Sequence, residues 1–507
     1  SGNISTCSFN VVVTDNQLPA ITTCGASGTQ NVVSDGGVCT YTNSGTGWDA
    51  QATDNCTVST IIYTLSGATT GTGTSLNGVV FNLGTTTVLW TVTDGEGNIS
   101  TCTFDVVVTD DQLPSITTCG GSGTEGVVAD GGVCTYTVSG TAWDAQATDN
   151  CTVSTIAYTL SGATTGTGTT TLNGVVFNLG TTTVLWTVTD GSGNISTCSF
   201  NVVVTDNQLP AISTCGATGT QNVNANFGVC TYTKTGIGWD AQATDNCTVS
   251  TIAYTLSGAT TGTGTTLNGV DFNLGTTTVL WTVTDGEGNI STCTFDVIVA
   301  DNQLPVISSC GGSGTQNVVV DLAACTYTVS GTGWDVSATD NCTIASSVYT
   351  LSGATTGTGT SLNGVAFNLG TTTVLWTVTD GSGNISTCSF NVVVTDNQLP
   401  AITTCGASGT QNVVSDGGVC TYTNSGTGWD AQATDNCTVS TIIYTLSGAT
   451  TGTGTSLNGV VFNLGTTTVL WTVTDGEGNI STCTFDVVVT DDQLPSITTC
   501  GGSGTEG

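Results

Sequence analysis

The chain repeats its own sequence, and this constrains the fold more than any single residue does. Residues 382–507 reproduce residues 1–126 letter for letter, an offset of 381. Within that offset the tetrapeptide Thr-Asp-Asn-Cys recurs at spacings of 95, 96, 95 and 95 residues, ending at Cys56, Cys151, Cys247, Cys342 and Cys437. Self-similarity at a fixed period is typical of modules stacked in a line. We therefore expect a protein whose function depends on length and surface rather than on one pocket.

The repeat predicts the domain boundaries. Each unit of about 95 residues is long enough to bury a modest core unaided. Residues 1–14 are expected to be the C-terminal strand of a preceding repeat, and 491–507 the N-terminal part of a following one, so that the chain is a piece of a longer fibre. The five whole units are predicted at 15–109, 110–205, 206–300, 301–395 and 396–490.

The charge balance excludes several functions. The chain has 36 acidic residues, one Lys, no Arg and no His, for a net charge of −35. Nucleic acids and anionic membrane surfaces are bound through Lys and Arg, so neither is an expected partner. No apolar run approaches the roughly 20 residues that span a bilayer, so no direct membrane insertion is expected. Catalysis would rest on carboxylates, Tyr and hydroxyls repeated in near-copies, and we predict that the chain is not an enzyme.

Cysteine indicates the compartment. The 22 cysteines recur at fixed places, four to a unit, as Cys24, Cys39, Cys56 and Cys102 in the first. There is no Cys-x-x-Cys pair and no His to complete a zinc site. Disulfides in an oxidising setting are the expected state, which places the chain outside the cell, at its surface.

The local patterns predict strands throughout. Runs rich in Val, Ile, Thr and Tyr alternate with turns of Gly, Asn and Asp, and no stretch has helical periodicity. In 85–93 the residues Val88, Trp90 and Val92 share one face, which predicts a half-buried strand. Seven or so short strands per unit favour a β-sandwich of immunoglobulin or fibronectin III type, with Trp48 and Trp90 packed in it.

The unit boundaries share one short sequence. The first reads Asp-Asn-Gln-Leu-Pro over 15–19, and all six prolines of the chain stand at these boundaries. Proline fixes its own φ and restrains the preceding residue. Short, stiff junctions are therefore predicted instead of flexible tethers.

Several strings of the unit resemble a known module. They are Ala-Thr-Asp-Asn-Cys (52–56), Leu-Gly-Thr-Thr-Thr-Val (83–88), Val-Thr-Asp-Gly-Glu-Gly-Asn (92–98) and Ser-Thr-Cys-Thr-Phe (100–104). Together they resemble the HYR, or hyalin repeat, module over the whole chain. The resemblance implies an all-β, linear tandem array of immunoglobulin-like sandwiches in an extracellular adhesion protein. Long arrays of nearly identical HYR modules resemble the surface adhesins of gliding Bacteroidetes, which are exported by the type IX route.

The topology that this resemblance implies predicts one disulfide within each module. First and last strands of such a sandwich run side by side, and family members with two cysteines keep the Cys24 and Cys102 positions, so this pair is expected. Its counterparts are Cys119 with Cys198, Cys215 with Cys293, Cys310 with Cys388, and Cys405 with Cys483.

The remaining cysteines leave alternatives open. Cys39 is expected at the far pole of the sandwich and Cys56 at the near pole, and about eight strand residues at about 3.3 Å each separate the poles, whereas a disulfide needs Cα atoms within about 7 Å. Either the Cys56 loop folds back to Cys39, or Cys39 bonds to Cys151 of the next unit. A pairing of Cys24 with Cys39 and of Cys56 with Cys102 also stays open.

Three acidic segments are expected to meet at the pole that faces the linker, and they form a candidate calcium site. Carboxylate and amide oxygens are ligands that Ca²⁺ prefers. The alternative is turn chemistry, because Asp and Asn bond their own backbone in turns. The candidate ligands of the first unit are Asp15, Asn16, Asp54, Asp94, Glu96 and Asn98. Their counterparts are Asp110, Asp149, Asp190, Asp206, Asp245, Asp285, Asp301, Asp340, Asp380, Asp396, Asp435 and Asp475.

These patterns predict a structural fibre. We expect the repeat region of an extracellular adhesin, a disulfide-clamped rod that projects a binding tip or mediates surface adhesion, with gliding motility as one use. Its expected partners are the neighbouring repeats of the same chain and a surface or polysaccharide ligand that the sequence does not identify. The alternative is a calcium-dependent carbohydrate-binding array.

Overall fold

The computed structural model describes residues 2–498, and within them all regular structure is strand. Each module is built from nine strands, and the five modules are numbered in chain order. Module 1 consists of β1 (Ala20–Thr23), β2 (Thr29–Val33), β3 (Thr40–Thr42), β4 (Gln51–Thr53), β5 (Val58–Gly67), β6 (Gly71–Gly73), β7 (Val80–Asn82), β8 (Gly84–Asp94) and β9 (Ile99–Thr109).

The other four modules repeat this order of strands. Module 2 consists of β10 (Ser115–Thr118), β11 (Thr124–Val128), β12 (Thr135–Thr137), β13 (Gln146–Thr148), β14 (Val153–Gly162), β15 (Gly166–Thr169), β16 (Val176–Asn178), β17 (Gly180–Asp190) and β18 (Ile195–Thr205). Module 3 consists of β19 (Ala211–Thr214), β20 (Thr220–Asn224), β21 (Thr231–Thr233), β22 (Gln242–Thr244), β23 (Val249–Gly258), β24 (Gly262–Gly264), β25 (Asp271–Asn273), β26 (Gly275–Asp285) and β27 (Ile290–Ala300).

Modules 4 and 5 complete the array. Module 4 consists of β28 (Val306–Ser309), β29 (Thr315–Val319), β30 (Thr326–Thr328), β31 (Ser337–Thr339), β32 (Ile344–Gly353), β33 (Gly357–Gly359), β34 (Ala366–Asn368), β35 (Gly370–Asp380) and β36 (Ile385–Thr395). Module 5 consists of β37 (Ala401–Thr404), β38 (Thr410–Val414), β39 (Thr421–Thr423), β40 (Gln432–Thr434), β41 (Val439–Gly448), β42 (Gly452–Gly454), β43 (Val461–Asn463), β44 (Gly465–Asp475) and β45 (Ile480–Thr490).

Each module is a β-sandwich with one large and one divided sheet. The large sheet has five strands in the order β2-β9-β8-β5-β6, and the opposing layer consists of the two-stranded pairs β1-β4 and β3-β7. β2 pairs with β9 in parallel, while the other pairs are antiparallel. The predicted all-β tandem array of immunoglobulin-like sandwiches is confirmed.

The core forms because the long strands alternate. Val88, Trp90 and Val92 of β8 are fully buried, as the alternation predicted. The centroid of the Trp48 ring lies 5.9 Å from the centroid of the Phe81 ring and 6.0 Å from that of the Phe104 ring, and both contacts are edge-on. The geometry is one that aromatic pairs prefer. Trp90 Nε1 also donates a hydrogen bond to the Trp48 carbonyl oxygen at 3.2 Å, so both Trp side chains serve the core.

A glycine follows the first cysteine of each module because there is no room for a side chain. Gly25 has φ +79°, and a Cβ on it would overlap the carbonyl oxygen of Trp48. The close approach lets the Cys24 turn pack directly onto the Trp48 loop.

Three details differ from the sequence predictions. Each module has nine strands where seven or so were expected, because strands of three residues, such as β4 and β6, are too short to show a clear alternation. The parallel partner of the last strand β9 is β2 and not β1, which pairs with β4. Residues 2–19 form no strand, although 1–14 were expected to be one, because the strands that flank β9 within a module have no counterparts before residue 20. Of the predicted segment 491–507, the residues from 499 on, with Cys500, lie outside the described residues, as does Ser1.

Candidate functional site at the module junctions

The first type of disulfide closes each module on itself. Cys24, just after β1, bonds to Cys102 on β9, with 6.0 Å between the Cα atoms. In the chain-entropy model a loop of this length contributes about 4–5 kcal/mol. Four counterparts recur: Cys119–Cys198, Cys215–Cys293, Cys310–Cys388 and Cys405–Cys483.

The second type of disulfide joins consecutive modules. Cys39 of module 1 bonds to Cys151 of module 2, with 4.7 Å between the Cα atoms. The within-module alternative, Cys39 with Cys56, is not formed, because the two lie at opposite poles of the sandwich. Cys56 is among the cysteines without a disulfide in the described residues, together with Cys7 and Cys420. We call these bonds between modules staples. The other staples are Cys134–Cys247, Cys230–Cys342 and Cys325–Cys437.

A glutamine fastens each linker to the module before it. Gly37 N–H donates to Gln112 Oε1 at 3.0 Å, and Gln112 Nε2 donates to the Asp35 carbonyl oxygen at 3.1 Å. Ser34 Oγ donates to Asp110 Oδ1 at 3.1 Å. The sequence analysis did not single out Gln112, although a Gln stands at the same place in every boundary.

Two asparagines fasten the same linker to the module after it. Asn150 Nδ2 donates to Asp110 Oδ1 at 3.1 Å and reaches back to the Val38 carbonyl oxygen of module 1 at 3.2 Å. Asn194 Nδ2 donates to the Asp110 carbonyl oxygen at 3.0 Å. We call these contacts, with those of Gln112, the junction clasp; it recurs around the linkers that begin at Asp206, Asp301 and Asp396.

Among the candidate calcium ligands, Asp94 is occupied by its own turn. Its Oδ1 accepts the Glu96 and Asn98 N–H groups at 3.0 and 2.8 Å, and its Oδ2 accepts Asn98 Nδ2 at 2.6 Å. Burial by itself would raise the pKa of Asp94, but hydrogen bonds from Asn98, Gly97 and Glu96 outweigh it and hold the pKa below its ordinary value. The same direction holds for Asp190, Asp285, Asp380 and Asp475.

The remaining candidates separate into a close acid pair and an exposed rim. One carboxylate oxygen each of Asp110 and Asp149 lies within 4.8 Å of the other and of Cys151 Sγ. Asn16 and Glu96 are exposed. We call Asp110 with Asp149 a junction acid pair; the others are Asp15 with Asp54, Asp206 with Asp245, Asp301 with Asp340, and Asp396 with Asp435.

The acid pairs contain carboxylate oxygens without a partner. Asp110 Oδ2 and Asp149 Oδ1 are buried and accept no hydrogen bond, although the other oxygen of each carboxylate does. The Asp110 side chain as a whole is only 5% exposed. An ionised group withdrawn from water without a partner is unfavourable. The same oxygens are unpartnered at Asp15, Asp54, Asp206, Asp245, Asp301 and Asp340, and Oδ1 is at Asp435.

The negative field of the pairs acts on their neighbours. A hydrogen bond to Asp15, burial, and the charges of Asp15, Glu96 and Asp54 raise the pKa of the Cys56 thiol. Desolvation and the charges of Asp475, Asp396 and Asp435 raise the pKa of Glu477. The junction is therefore the place where negative charge accumulates near buried atoms.

Comparison with known proteins shows which modules this chain is similar to. The HYR domain profile matches residues 135–204 and 300–394. The chain is 28% identical over 514 residues to hyalin from Strongylocentrotus purpuratus, covering 98% of this chain and 37% of that protein. It is 29% identical over 325 residues to hyalin from Lytechinus variegatus, covering 62% and 54%. These matches support tandem HYR repeats, while the chain spans only about a third to a half of the hyalins' length.

Other similarities are more local. The chain is 30% identical over 146 residues to a serine-rich adhesin for platelets from Staphylococcus aureus (strain MRSA252), covering 28% of this chain and 10% of that one. The solved extracellular domain of protocadherin GammaB4 is 15% identical, with 93% of this chain and 84% of that chain covered and a TM-score of 0.31. No helix in the described part of the chain has the length and hydropathy of a membrane span.

Proposed function

We propose that the chain is the structural repeat region of an extracellular adhesin fibre, which projects a binding tip or itself mediates surface adhesion. The observation that carries the proposal is the junction, where a disulfide and the clasp connect consecutive modules. A Cys39–Cys151 bond leaves the two poles little freedom to swing apart, because the linker between them is also bonded on both sides. The module boundaries that we propose are those of the sequence repeat, at 15, 110, 206, 301 and 396.

The finer parts of the proposal concern export and use. Long arrays of nearly identical HYR modules resemble surface adhesins of gliding Bacteroidetes, and this resemblance supports gliding motility and the type IX route. Calcium at the junctions belongs to the same proposal, supported by the acid pairs. A net charge of −35 keeps such fibres apart through mutual repulsion. The proposal assigns the chain no catalytic activity.

The alternative, a calcium-dependent carbohydrate-binding array, has weaker support. Sugar stacking needs an exposed aromatic face beside the acids. Trp90 is fully buried, and Trp48 packs edge-on against Phe81 and Phe104, with equivalent contacts in every module. Both Trp rings of each module are therefore committed to its core, and the exposed Phe227, which lines a groove with Asp340, has no aromatic counterpart in the other modules.

Small-angle scattering of the oxidised chain tests the fibre. A strand of eleven residues is roughly 37 Å long, so five modules in line extend to about 180 Å and give a radius of gyration of roughly 50 Å. A compact chain of this length would give about 23 Å. We expect the larger value, and a clearly smaller one for Cys134→Ser/Cys247→Ser, which frees one junction.

The matched control is Cys56→Ser/Cys420→Ser, which removes two exposed thiols that form no disulfide among the described residues. It should scatter as the parent chain does. Compact particles from the parent chain, or staple cysteines found reduced by mass spectrometry of unreduced fragments, would refute the proposal.

A further inference from the structure

We propose that the junction between modules 3 and 4 contains a binding groove for a neutral oligosaccharide. It is one site in the described part of the chain, not one site per module, and it needs no metal ion. The inference deepens the proposed function by giving the fibre a class of ligand. It rests on that function in one respect, that the ligand of the fibre is a surface polysaccharide.

The groove lies where the two modules meet. Its volume is about 510 Å³, within the range of roughly 300–1,000 Å³ that is typical of ligand pockets. Module 3 contributes Phe227, from the loop between β20 and β21, and module 4 contributes residues 339–341, at the end of β31. The Cys230–Cys342 staple ties these two segments together. The groove is therefore formed before a ligand arrives, which lowers the entropic cost of binding.

Three exposed apolar side chains line this groove. Phe227 is 96% exposed, Leu304 60% and Val306 64%. Adjacent apolar side chains left in water indicate a binding surface. The face of an aromatic ring carries partial negative charge, so it attracts the slightly positive C–H groups on the face of a sugar ring. Phe227 thus supplies the stacking surface that the buried Trp rings do not.

The polar groups of the groove lack hydrogen-bond donors. Asp340 Oδ1 accepts no hydrogen bond, although Asp340 Oδ2 accepts the Cys342 N–H at 2.9 Å. Asn341 Nδ2 already donates to the Val229 carbonyl oxygen at 3.1 Å and to Asp301 Oδ1 at 3.2 Å, so only the Asn341 side-chain oxygen is left for a ligand. Sugar hydroxyls are donors that such acceptors can use.

The charge of the groove selects against anionic ligands. The one cationic side chain, Lys234, bonds the Thr235 carbonyl oxygen and lies 5.0 Å from the centroid of the Trp239 ring, and it does not line the groove. A uronate, a sulfate or a phosphate would meet Asp340 without a compensating cation. A neutral, hydroxylated ligand avoids this repulsion and still uses the acceptors.

The size of the apolar surface favours an oligosaccharide over a protein partner. A stable protein interface buries roughly 800 Å² on each partner, more than three apolar side chains can supply. A short oligosaccharide needs only the groove itself, with one ring face on Phe227 and hydroxyls directed to the acceptors of module 4.

The equivalent grooves at other junctions lack the apolar half. Those between modules 2 and 3 and between modules 4 and 5 have volumes of about 330 and 310 Å³, with the same Gln, Leu, Thr, Asp and Asn. The position of Phe227 is Gly in modules 1, 2 and 5 and Leu in module 4, and the position of Val306 is Ala or Ser elsewhere. The polar set is therefore common to these junctions, and the apolar set distinguishes this one.

Isothermal titration calorimetry of the oxidised full chain tests the inference. The neutral probes are maltohexaose, cellohexaose and mannohexaose, the anionic probe is hexagalacturonate, and the peptide probe is Lys-Leu-Phe-Lys. We expect at least one neutral probe to bind at one site per chain, and hexagalacturonate to bind roughly tenfold more weakly or not at all.

A substitution that other modules already contain tests the role of the ring. Phe227→Gly should weaken binding of the neutral probe by roughly tenfold or more, because the stacking surface is lost. The matched control is Leu322→Gly, which removes a side chain that is 91% exposed at the same position of module 4. This control should leave the affinity unchanged.

Transfer of the apolar pair tests whether it creates the site. Gly131→Phe/Ala211→Val places the same side chains at the junction of modules 2 and 3, where a Cβ on Gly131 has no atom within 4 Å. Calorimetry should then find two sites per chain instead of one.

Four results would overturn the inference. They are no binding of any neutral probe at about 10 mM, equal affinity in Phe227→Gly, a single site after the transfer, and Phe227-dependent binding of the peptide alone, which would make the groove a protein-docking surface. Disulfide mapping and scattering of the same samples keep its failure distinct. Intact staples and an extended chain without bound sugar would leave the proposed fibre standing.

Discussion

The interior of a module and the junction between two modules are held together by different physics. The interior is apolar: Val88, Trp90 and Phe81 are fully buried, and the disulfide Cys24–Cys102 closes the sandwich. Stability there scales with buried area and with the restriction of the unfolded chain. Changes inside a module should therefore appear as large losses in the free energy of unfolding.

The junction is polar and depends on a few directional bonds. Its linker is held by amide side chains, its acids lie in pairs, and its Leu113 is 65% exposed instead of packed. A hydrogen bond contributes only about 1 kcal/mol net, so the junction fixes orientation more than it adds stability. One repeat therefore encodes stability and stiffness in separate sets of residues.

The largest expected effect is in the interior disulfide. Cys119→Ala/Cys198→Ala should destabilise module 2 by about 4–5 kcal/mol, because it releases a long loop in the unfolded chain. Calorimetry should then show one module melting separately, below the other four. Cys56→Ala, which removes an exposed thiol, is the control and should leave the trace unchanged. A loss no larger than that of a single hydrogen bond would show that this disulfide does not determine the stability of the module.

The next effect is in the turn that forms the edge of the module. Asp190→Asn should cost module 2 about 1.5–3 kcal/mol, because Oδ1 accepts two backbone N–H groups and Oδ2 accepts Asn194 Nδ2. The lowered pKa of Asp190 adds a pH dependence. The contribution of ionised Asp190 to the stability of module 2 is complete above the ordinary pKa of Asp, roughly 3.9. It is lost as the pH falls through the lower pKa that Asp190 has in the folded state.

Acid titration of the melting temperature checks this sign. The parent chain should lose stability below about pH 4, and the module with Asp190→Asn should lose less over the same range. Asp111→Asn is the control, since this exposed linker position is Asn in other modules, such as Asn16. Equal acid sensitivity of module 2 in the parent and in Asp190→Asn would contradict the assignment.

The interior was largely predictable from the sequence and the junction was not. Strand alternation predicted that Val88 and Trp90 lie on the buried face of their strand, because the side-chain period of a strand is two. The pairing of β2 with β9 could not be predicted, since short strands carry no local mark of their partner. The partner of Cys39 stayed open for a related reason: it is set by the orientation of the next module, which depends on Gln112 and Asn150 acting across the boundary.

The acidic residues show the same limit of sequence-based prediction for individual side chains. Asp54 and Asp94 are both followed by turn residues, so composition treats them alike. Only the positions of the donors distinguish them: Asn98 and the backbone satisfy Asp94, while Asp54 Oδ1 is left without a partner. The calcium ligands therefore stay a prediction, now restricted to the pairs.

A smaller effect is expected from the clasp. Gln208→Ala removes the acceptor of Gly132 N–H (2.9 Å) and the donor to the Asp130 carbonyl oxygen (3.2 Å). Module stability should fall by about 1 kcal/mol or less, while hydrogen exchange near Gly132 should quicken. Gln221→Ala, whose amide bonds Thr218 within its own module, is the control and should leave that exchange unchanged. Exchange that stays slow after Gln208→Ala would show that the staple alone holds the junction.

The smallest effect comes from one residue in the clasp of module 4. Ala323 has φ +63° at the position where other modules have glycine, such as Gly132 at φ +80°. A left-handed conformation costs Ala about 1–2 kcal/mol, of which the greater unfolded freedom of glycine offsets roughly half. Ala323→Gly should therefore stabilise module 4 by about 0.5 kcal/mol, and Gly132→Ala should destabilise module 2 by a similar amount. Calorimetry of both variants decides the point: opposite shifts locate the strain in the backbone, whereas shifts of the same sign would show that the loop relaxes around its side chain and that the junction tolerates it.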